Sequence, residues 1–123
     1  KVSNISRDDL AKAAAAVLAK GIAGNQTYTL TGEKALTITE IAKIAADLSG
    51  KPLDVIEASQ EQLRQGMAGA GLPDFVVDML LSTEANIAAG NFDIVTNDYE
   101  TLTGEKPQSA EDFFNAHKSA LTA

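Results

Sequence analysis

The sequence predicts an α/β fold, helix-rich, with a small and mostly parallel sheet built around a βαβ unit. Two observations carry this. Two short runs suited to strands, residues 27–30 and 52–58, flank a segment with complete helix start and stop chemistry. A strand, a helix and a strand in that order favour parallel pairing through a right-handed crossover. Elsewhere, apolar residues recur at helical spacing between capping residues and glycines, which supplies helices to cover such a sheet.

The central unit has the strongest local signals. Thr27, Tyr28, Thr29 and Leu30 are β-branched or bulky and fit a pleated surface. Thr37 and Glu40 have the spacing of a capping box, with Leu36 and Ile41 at the two staple positions around it. Ile38, Ile41, Ala42, Ala45 and Leu48 then form an apolar stripe, and Gly50 supplies a left-handed stop. Pro52 to Ala58 reads as the second strand.

The flanking elements follow in order. Residues 1–5 are expected to form an edge strand or an arm. Ser6 caps a first helix with Asp8 and Asp9 in its first turn, where negative charge suits the helix dipole. Ile5 and Leu10 take staple positions; Leu10, Ala14, Val17 and Leu18 form its expected buried side, with Gly21 or Gly24 as the stop. Ser59 and Gln62 form another capping box ahead of a helix carrying Leu63 and Met67, which fades at Gly69-Ala70-Gly71. Pro73 suits the first turn of the next helix, with Val76, Met79, Leu80, Thr83 and Ile87 on one face and Gly90 at its close. Phe92, Ile94 and Val95 read as a connecting or strand-like segment. Asn97 with Glu100 opens a short helix ending at Gly104. Ser109 caps a last helix with Phe113, Phe114 and Leu121. The 123 residues make one domain, without repeat, linker or low-complexity tract.

Composition excludes several functions. A net charge of −7, from ten basic and seventeen acidic residues, opposes nucleic-acid phosphates and anionic lipid, so no nucleic-acid or membrane partner is expected. No apolar run approaches a bilayer span. The absence of cysteine removes disulfides, thiolate metal sites and a cysteine nucleophile, and fits a cytoplasmic location. The chain starts at Lys1, as a processed or excised chain would.

Residue chemistry offers few candidates. Gly66, Gly69 and Gly71 are spaced like a phosphate loop, but they follow a helix and precede Leu72-Pro73, so they read as helix termination. The run Thr103 to Pro107 matches the linker between zinc fingers, yet nothing here could hold zinc. His117 lacks a positioned partner, and a surface or helix-end role is expected. The pairs Asp8/Asp9 and Glu111/Asp112 are explained by helix first turns. Arg7 could recognise an anion or carbonyl, or be a solvated first-turn side chain. Met67, Phe75, Met79 and Phe92 could line an apolar pocket for a flat ligand, or simply be core. With Arg7 they are the candidate substrate-binding residues; no catalytic, cofactor-binding or metal-binding residue is assigned.

Three stretches together carry a resemblance. Ile5-Ser6-Arg7-Asp8-Asp9-Leu10-Ala11 resembles the opening of the last third of NmrA-like proteins, atypical members of the short-chain dehydrogenase/reductase superfamily. Tyr28-Thr29-Leu30-Thr31-Gly32 through Ala35-Leu36-Thr37 and Glu40-Ile41-Ala42 resembles the strand and helix that follow there. Leu102-Thr103-Gly104-Glu105-Lys106-Pro107, then Ser109 and Phe113-Phe114, resembles the C-terminal tail. Order and spacing are similar to the type-two NAD(P)H:quinone oxidoreductases over nearly the whole chain. The resemblance implies the C-terminal, substrate-side portion (residues 1–123) of an NAD(P)-binding, Rossmann-like oxidoreductase whose N-terminal Rossmann half, with its glycine-rich loop, has no counterpart in this sequence. It further implies a small apolar or quinone-like substrate and NAD(P)H in the full-length parent. The chain alone is expected to bind no cofactor, to be inactive, and to self-associate through the unpaired 27–30 edge or uncovered helix faces. The rival readings are an NmrA-like, non-catalytic dinucleotide sensor and a free-standing interaction domain.

Overall fold

In the computed structural model, which describes residues 1–22 and 24–122, the chain is helical and no sheet forms among these residues. Seven helices follow one another: α1 (Arg7–Lys20), α2 (Ile38–Ser49), α3 (Gln60–Gly69), α4 (Asp74–Ala88), α5 (Asp98–Thr103), α6 (Ala110–Ala116) and α7 (Lys118–Thr122). The predicted α/β architecture, with its parallel sheet and βαβ unit, is therefore overturned. A strand needs a neighbour to take up its backbone groups, and propensity alone supplies none. Residues 27–30 run extended, but Thr29 N–H donates to the Asp98 carboxylate at 2.6 Å and its carbonyl accepts from the Thr96 hydroxyl. Side chains replace the expected ladder. Residues 52–58 are exposed along their whole length and pair with nothing among the described residues. Residues 92–95 are likewise exposed and outside any strand. The single β-pairing among the described residues is an antiparallel bridge between Val2 and Leu36, which makes the N-terminal segment an arm.

The capping chemistry of the sequence is realised at most helix starts. Thr37 accepts from Glu40 N–H at 3.1 Å while Glu40 accepts from Thr37 N–H at 2.7 Å, and Ser59 with Gln62 forms the same box. Ser6 and Ser109 accept from the amides of Asp9 and Asp112. Gly21 ends α1 and Gly50 ends α2, both left-handed, at φ 58° and 70°. Three details differ. Asn97 precedes α5 without any side-chain cap bond. Pro73 is the residue before α4 rather than its first. The final helix breaks at His117 into α6 and α7.

The buried faces of α1 and α4 are rotated from those expected. On α1 the buried residues are Asp9 and Ala13, with Val17 half-buried, whereas Leu10 and Ala14 are exposed and Leu18 is 83% exposed. An apolar stripe cannot reveal that a carboxylate is the inward residue. On α4 the buried residues are Val77 and Leu81; of the expected face, Val76, Leu80 and Ile87 are half-buried, whereas Met79 and Thr83 face outward. On α2 the stripe is placed as expected, with Ala45 buried and Ile41, Ala42 and Leu48 half-buried, except that Ile38 is exposed.

Packing divides the helices into sets. Helix α1 packs on α5 around Ala13, Tyr99 and Leu102, with Ile5, Val17, Ile22, Tyr28 and Leu30 against them. Helix α2 packs on α6 and α7. Helices α3 and α4 pack on each other and, among the described residues, on no other helix. They form a hairpin that the connecting segments 50–59 and 89–97 join to the rest of the chain.

Candidate functional site

An apolar cleft of about 390 Å³ lies between the N-terminal arm, α2 and α6. The arm is fixed first. Val2 and Leu36 exchange backbone hydrogen bonds at 2.8 and 2.9 Å, and Gly32 N–H donates to the Ser3 carbonyl at 3.2 Å. Glycine is required at 32, because a Cβ there would collide with the Asn4 carbonyl. This places Val2 and Ile5 on one wall. The staple residues Leu36 and Ile41, with Ile44 one turn further along α2, form a second wall. Phe113 and Phe114 of α6 form the third, meeting edge-on with ring centroids 6.0 Å apart; Phe113 also stacks on His117 at 4.4 Å. Asn4, Ser6, Glu33, Lys34, Gln108, Ser109 and Glu111 supply the polar boundary.

Behind the cleft, a buried carboxylate ties three distant parts of the chain together. Asp9 is only 3% exposed. One oxygen accepts from the Tyr99 hydroxyl at 2.9 Å, and the other from Gln108 N–H at 2.8 Å. Helix α1, helix α5 and the segment entering α6 are thus locked at one point. Burial alone would push the Asp9 carboxyl up, but the hydrogen bonds from Gln108, Tyr99 and Ser6, with the Lys12 ammonium 3.7 Å away, hold it below the ordinary carboxylate value. Burial first, then the bond to this carboxylate, pushes the Tyr99 phenol up to about 12. A parallel tie joins Thr31 to residue 96, whose N–H donates to the Thr31 hydroxyl at 3.0 Å.

This chemistry positions distant segments of the chain, and among the described residues it assembles no acid–base or nucleophilic pair. Tyr99 and Asp9 are buried and committed to each other. His117 is exposed at the end of α6, with Nδ1 2.8 Å from the Phe113 carbonyl, which agrees with the helix-end role expected of it. Among the described residues, no group of His, Asp and Glu could hold a metal ion. Gly66 and Gly69 lie within α3, and the starts of α1, α2, α3 and α6 are closed by their own Ser or Thr caps.

The five candidate substrate residues lie away from the cleft. Arg7 is exposed in the first turn of α1, and Met67 is half-buried on α3. Phe75 and Met79, 73% and 58% exposed, share one outer face of α4, and Phe92 is exposed in the segment after it. The α3–α4 hairpin therefore gathers Met67, Phe75 and Met79 on one unit, and none of the three lines the cleft. The cleft residues were missed as a group. Each half of the signal was visible, the Leu36/Ile41 staple and the Phe113-Phe114 pair, but nothing local says that elements seventy residues apart meet. Asp9 was read as a dipole partner, and no sequence signal marked it as the buried one of its pair.

No family model matches the chain. Over 127 aligned positions it is 32% identical to an NAD(P)H azoreductase of Xenophilus azovorans, covering 100% of this chain and 43% of that protein. It is 29% identical over 103 positions to quinone oxidoreductase 2 of Escherichia coli, covering 84% and 35% respectively. Among solved structures, it superposes on an NADPH-dependent quinone oxidoreductase from Escherichia coli with a TM-score of 0.83 and 25% identity, covering 94% of this chain and 42% of that one. A Citrobacter sp. triphenylmethane reductase complexed with NADP(H) gives a TM-score of 0.82 at 28% identity, covering 94% and 40%. The chain thus spans about 40% of the length of the relatives it matches. Its helical arrangement recurs as one portion of larger reductases.

Proposed function

We propose that this chain, homologous to a portion of the NmrA-like NAD(P)H oxidoreductases, is the substrate-side portion of such an enzyme and acts on quinone-like or other planar, electron-accepting aromatics. The observation that carries this is the match of the whole chain to 43% of an azoreductase, supported by the superposition on quinone and dye reductases. NAD(P)H would be held by the remainder of the protein and would supply the hydride; this chain would supply an apolar wall and exclude water. The outward Phe75 and Met79 of α4, with Phe92 beside the hairpin, fit that wall, and Arg7 is a candidate for steering a carbonyl. The named relatives are reductases, which favours catalysis over the sensor reading.

The test is a chimera in which this chain replaces the matching portion of the Xenophilus azoreductase. It should oxidise NADPH in the presence of 1,4-naphthoquinone. Phe75→Ala with Met79→Ala should raise KM for the quinone severalfold and leave KM for NADPH unchanged. A folded, NADPH-binding chimera that reduces neither quinones nor azo dyes would refute the reading.

A further inference from the structure

We propose that the α3–α4 hairpin, residues 59–93, is a lid that swings as one rigid unit on two exposed tethers, residues 51–58 and 94–95. The hairpin is complete in itself. Ser59 and Gln62 close its start, Leu72 N–H returns to the Met67 carbonyl at 3.2 Å across its turn, and Arg64 on α3 meets Asp78 on α4 at 2.7 Å. Val77 and Leu81 are buried, yet neither belongs to the cluster of Ala13, Tyr99 and Leu102 that joins α1 to α5. Among the described residues, neither helix packs on any helix but its partner, and no hydrogen bond or ion pair joins 59–93 to the rest of the chain. The body, by contrast, is tied across long separations: Val2 to Leu36, Thr31 to Thr96, and Asp9 to Tyr99 and Gln108.

The tethers are free to bend. Both are exposed along their whole length, and among the described residues 52–58 and 94–95 make no hydrogen bond, so a change of backbone angle there breaks nothing. Their composition is not that of a plain linker, which would be polar or rich in small residues. They carry Leu53, Val55 and Ile56, then Ile94 and Val95, and α4 adds Phe75 and Met79 to the exposed apolar side chains. Apolar surface gathered on a weakly tied unit is what closure would remove from water, so the arrangement described is the open one. Lids are drawn from such weakly held parts of a fold. That the closed lid covers substrate at the Phe75 and Met79 face rests on the proposed function; the swing itself does not.

Because the chain has no cysteine, two introduced cysteines are its only attachment points for spin labels. Pulsed electron spin resonance then reads the distance between them, with each labelled chain diluted in unlabelled chain. Ala68→Cys with Glu84→Cys reports within the hairpin, Ala15→Cys with Lys43→Cys within the body, and Lys43→Cys with Glu84→Cys across the tethers; all these positions are exposed. The first two distance distributions should be narrow and the third at least twice as wide. A cross-tether distribution as narrow as the other two would overturn the proposal, and so would a hairpin pair as broad as the cross-tether one. Residual dipolar couplings of the unaltered chain ask the same without substitution: α3 and α4 should share one alignment tensor, and α1, α2 and α5 another. One tensor that fits them all would overturn the proposal. In a cysteine-free form of the azoreductase chimera, 1,4-naphthoquinone should narrow the cross-tether distribution to a single peak. A chimera that reduces the quinone with that distribution unchanged would overturn the lid and leave the proposed function standing. An inactive chimera whose hairpin still swings would support the hinge while refuting that function.

Discussion

Replacing Tyr99 by Phe tests whether the Asp9 carboxylate holds the helices together. Tyr99 is 1% exposed, so the ring stays packed against Ala13 and Leu102 and only the hydroxyl is lost. That hydroxyl donates at 2.9 Å to a buried carboxylate, a charge-assisted bond with a net contribution of about 1.5–3 kcal/mol. Asp9→Ala should cost more, about 3–5 kcal/mol, because it leaves the Tyr99 hydroxyl and the Gln108 N–H buried without their acceptor. The double variant should then be less destabilised than the sum of the singles, with a coupling of about 1.5–3 kcal/mol. Urea unfolding followed by circular dichroism measures all four proteins. The Asp9 pKa is depressed in the fold, so its contribution is present above the ordinary carboxylate value of 3.8 and is lost as pH falls through the folded value. The coupling should therefore be full at neutral pH and disappear in strong acid. A coupling below about 0.5 kcal/mol at neutral pH, or one that persists undiminished in acid, would refute the assignment of Asp9 as the ionised hub.

Tyr99 adds an alkaline counterpart: its pKa is raised from 10.0 to about 12, so its contribution is complete below pH 10 and is lost as pH rises through about 12. Alkaline unfolding of Tyr99→Phe should lack that part of the profile. Thr37→Ala should cost about 1 kcal/mol by removing the acceptor for Glu40 N–H, whereas Lys43→Ala, which breaks only an exposed pair with Asp47, should leave the urea midpoint in place. Gly32→Ala should abolish the Val2–Leu36 bridge, seen as loss of amide exchange protection at both residues, because the added methyl displaces Asn4. Light scattering should show association that rises with concentration, driven by exposed Leu53, Val55 and Ile56 on the unpaired segment 52–58 and by Phe75 and Met79; Ile56→Asp should reduce it, and a strict monomer at high concentration would contradict it.

What the sequence determined by itself is local. Caps act within four residues, so the boxes at Thr37/Glu40 and Ser59/Gln62, the caps at Ser6 and Ser109, and the glycine stops at 50 and 104 were all legible, while the first stop was narrowed to 21 or 24. The ordered set of motifs also carried the likeness to NAD(P)H-dependent reductases, about 40% of whose length the chain matches. Tertiary structure decided the rest, because the deciding contacts lie far apart along the chain. Whether 27–30 becomes a strand depends on a neighbour, and residues 96–98 meet it with side chains instead of a ladder. Which face of α1 turns inward was settled by Asp9, whose burial is tolerable only where Tyr99 and Gln108, some ninety residues later, satisfy both its oxygens. The cleft has the same origin. Its walls come from three separated segments, and its lining could be read only once the arm, α2 and α6 had been brought together.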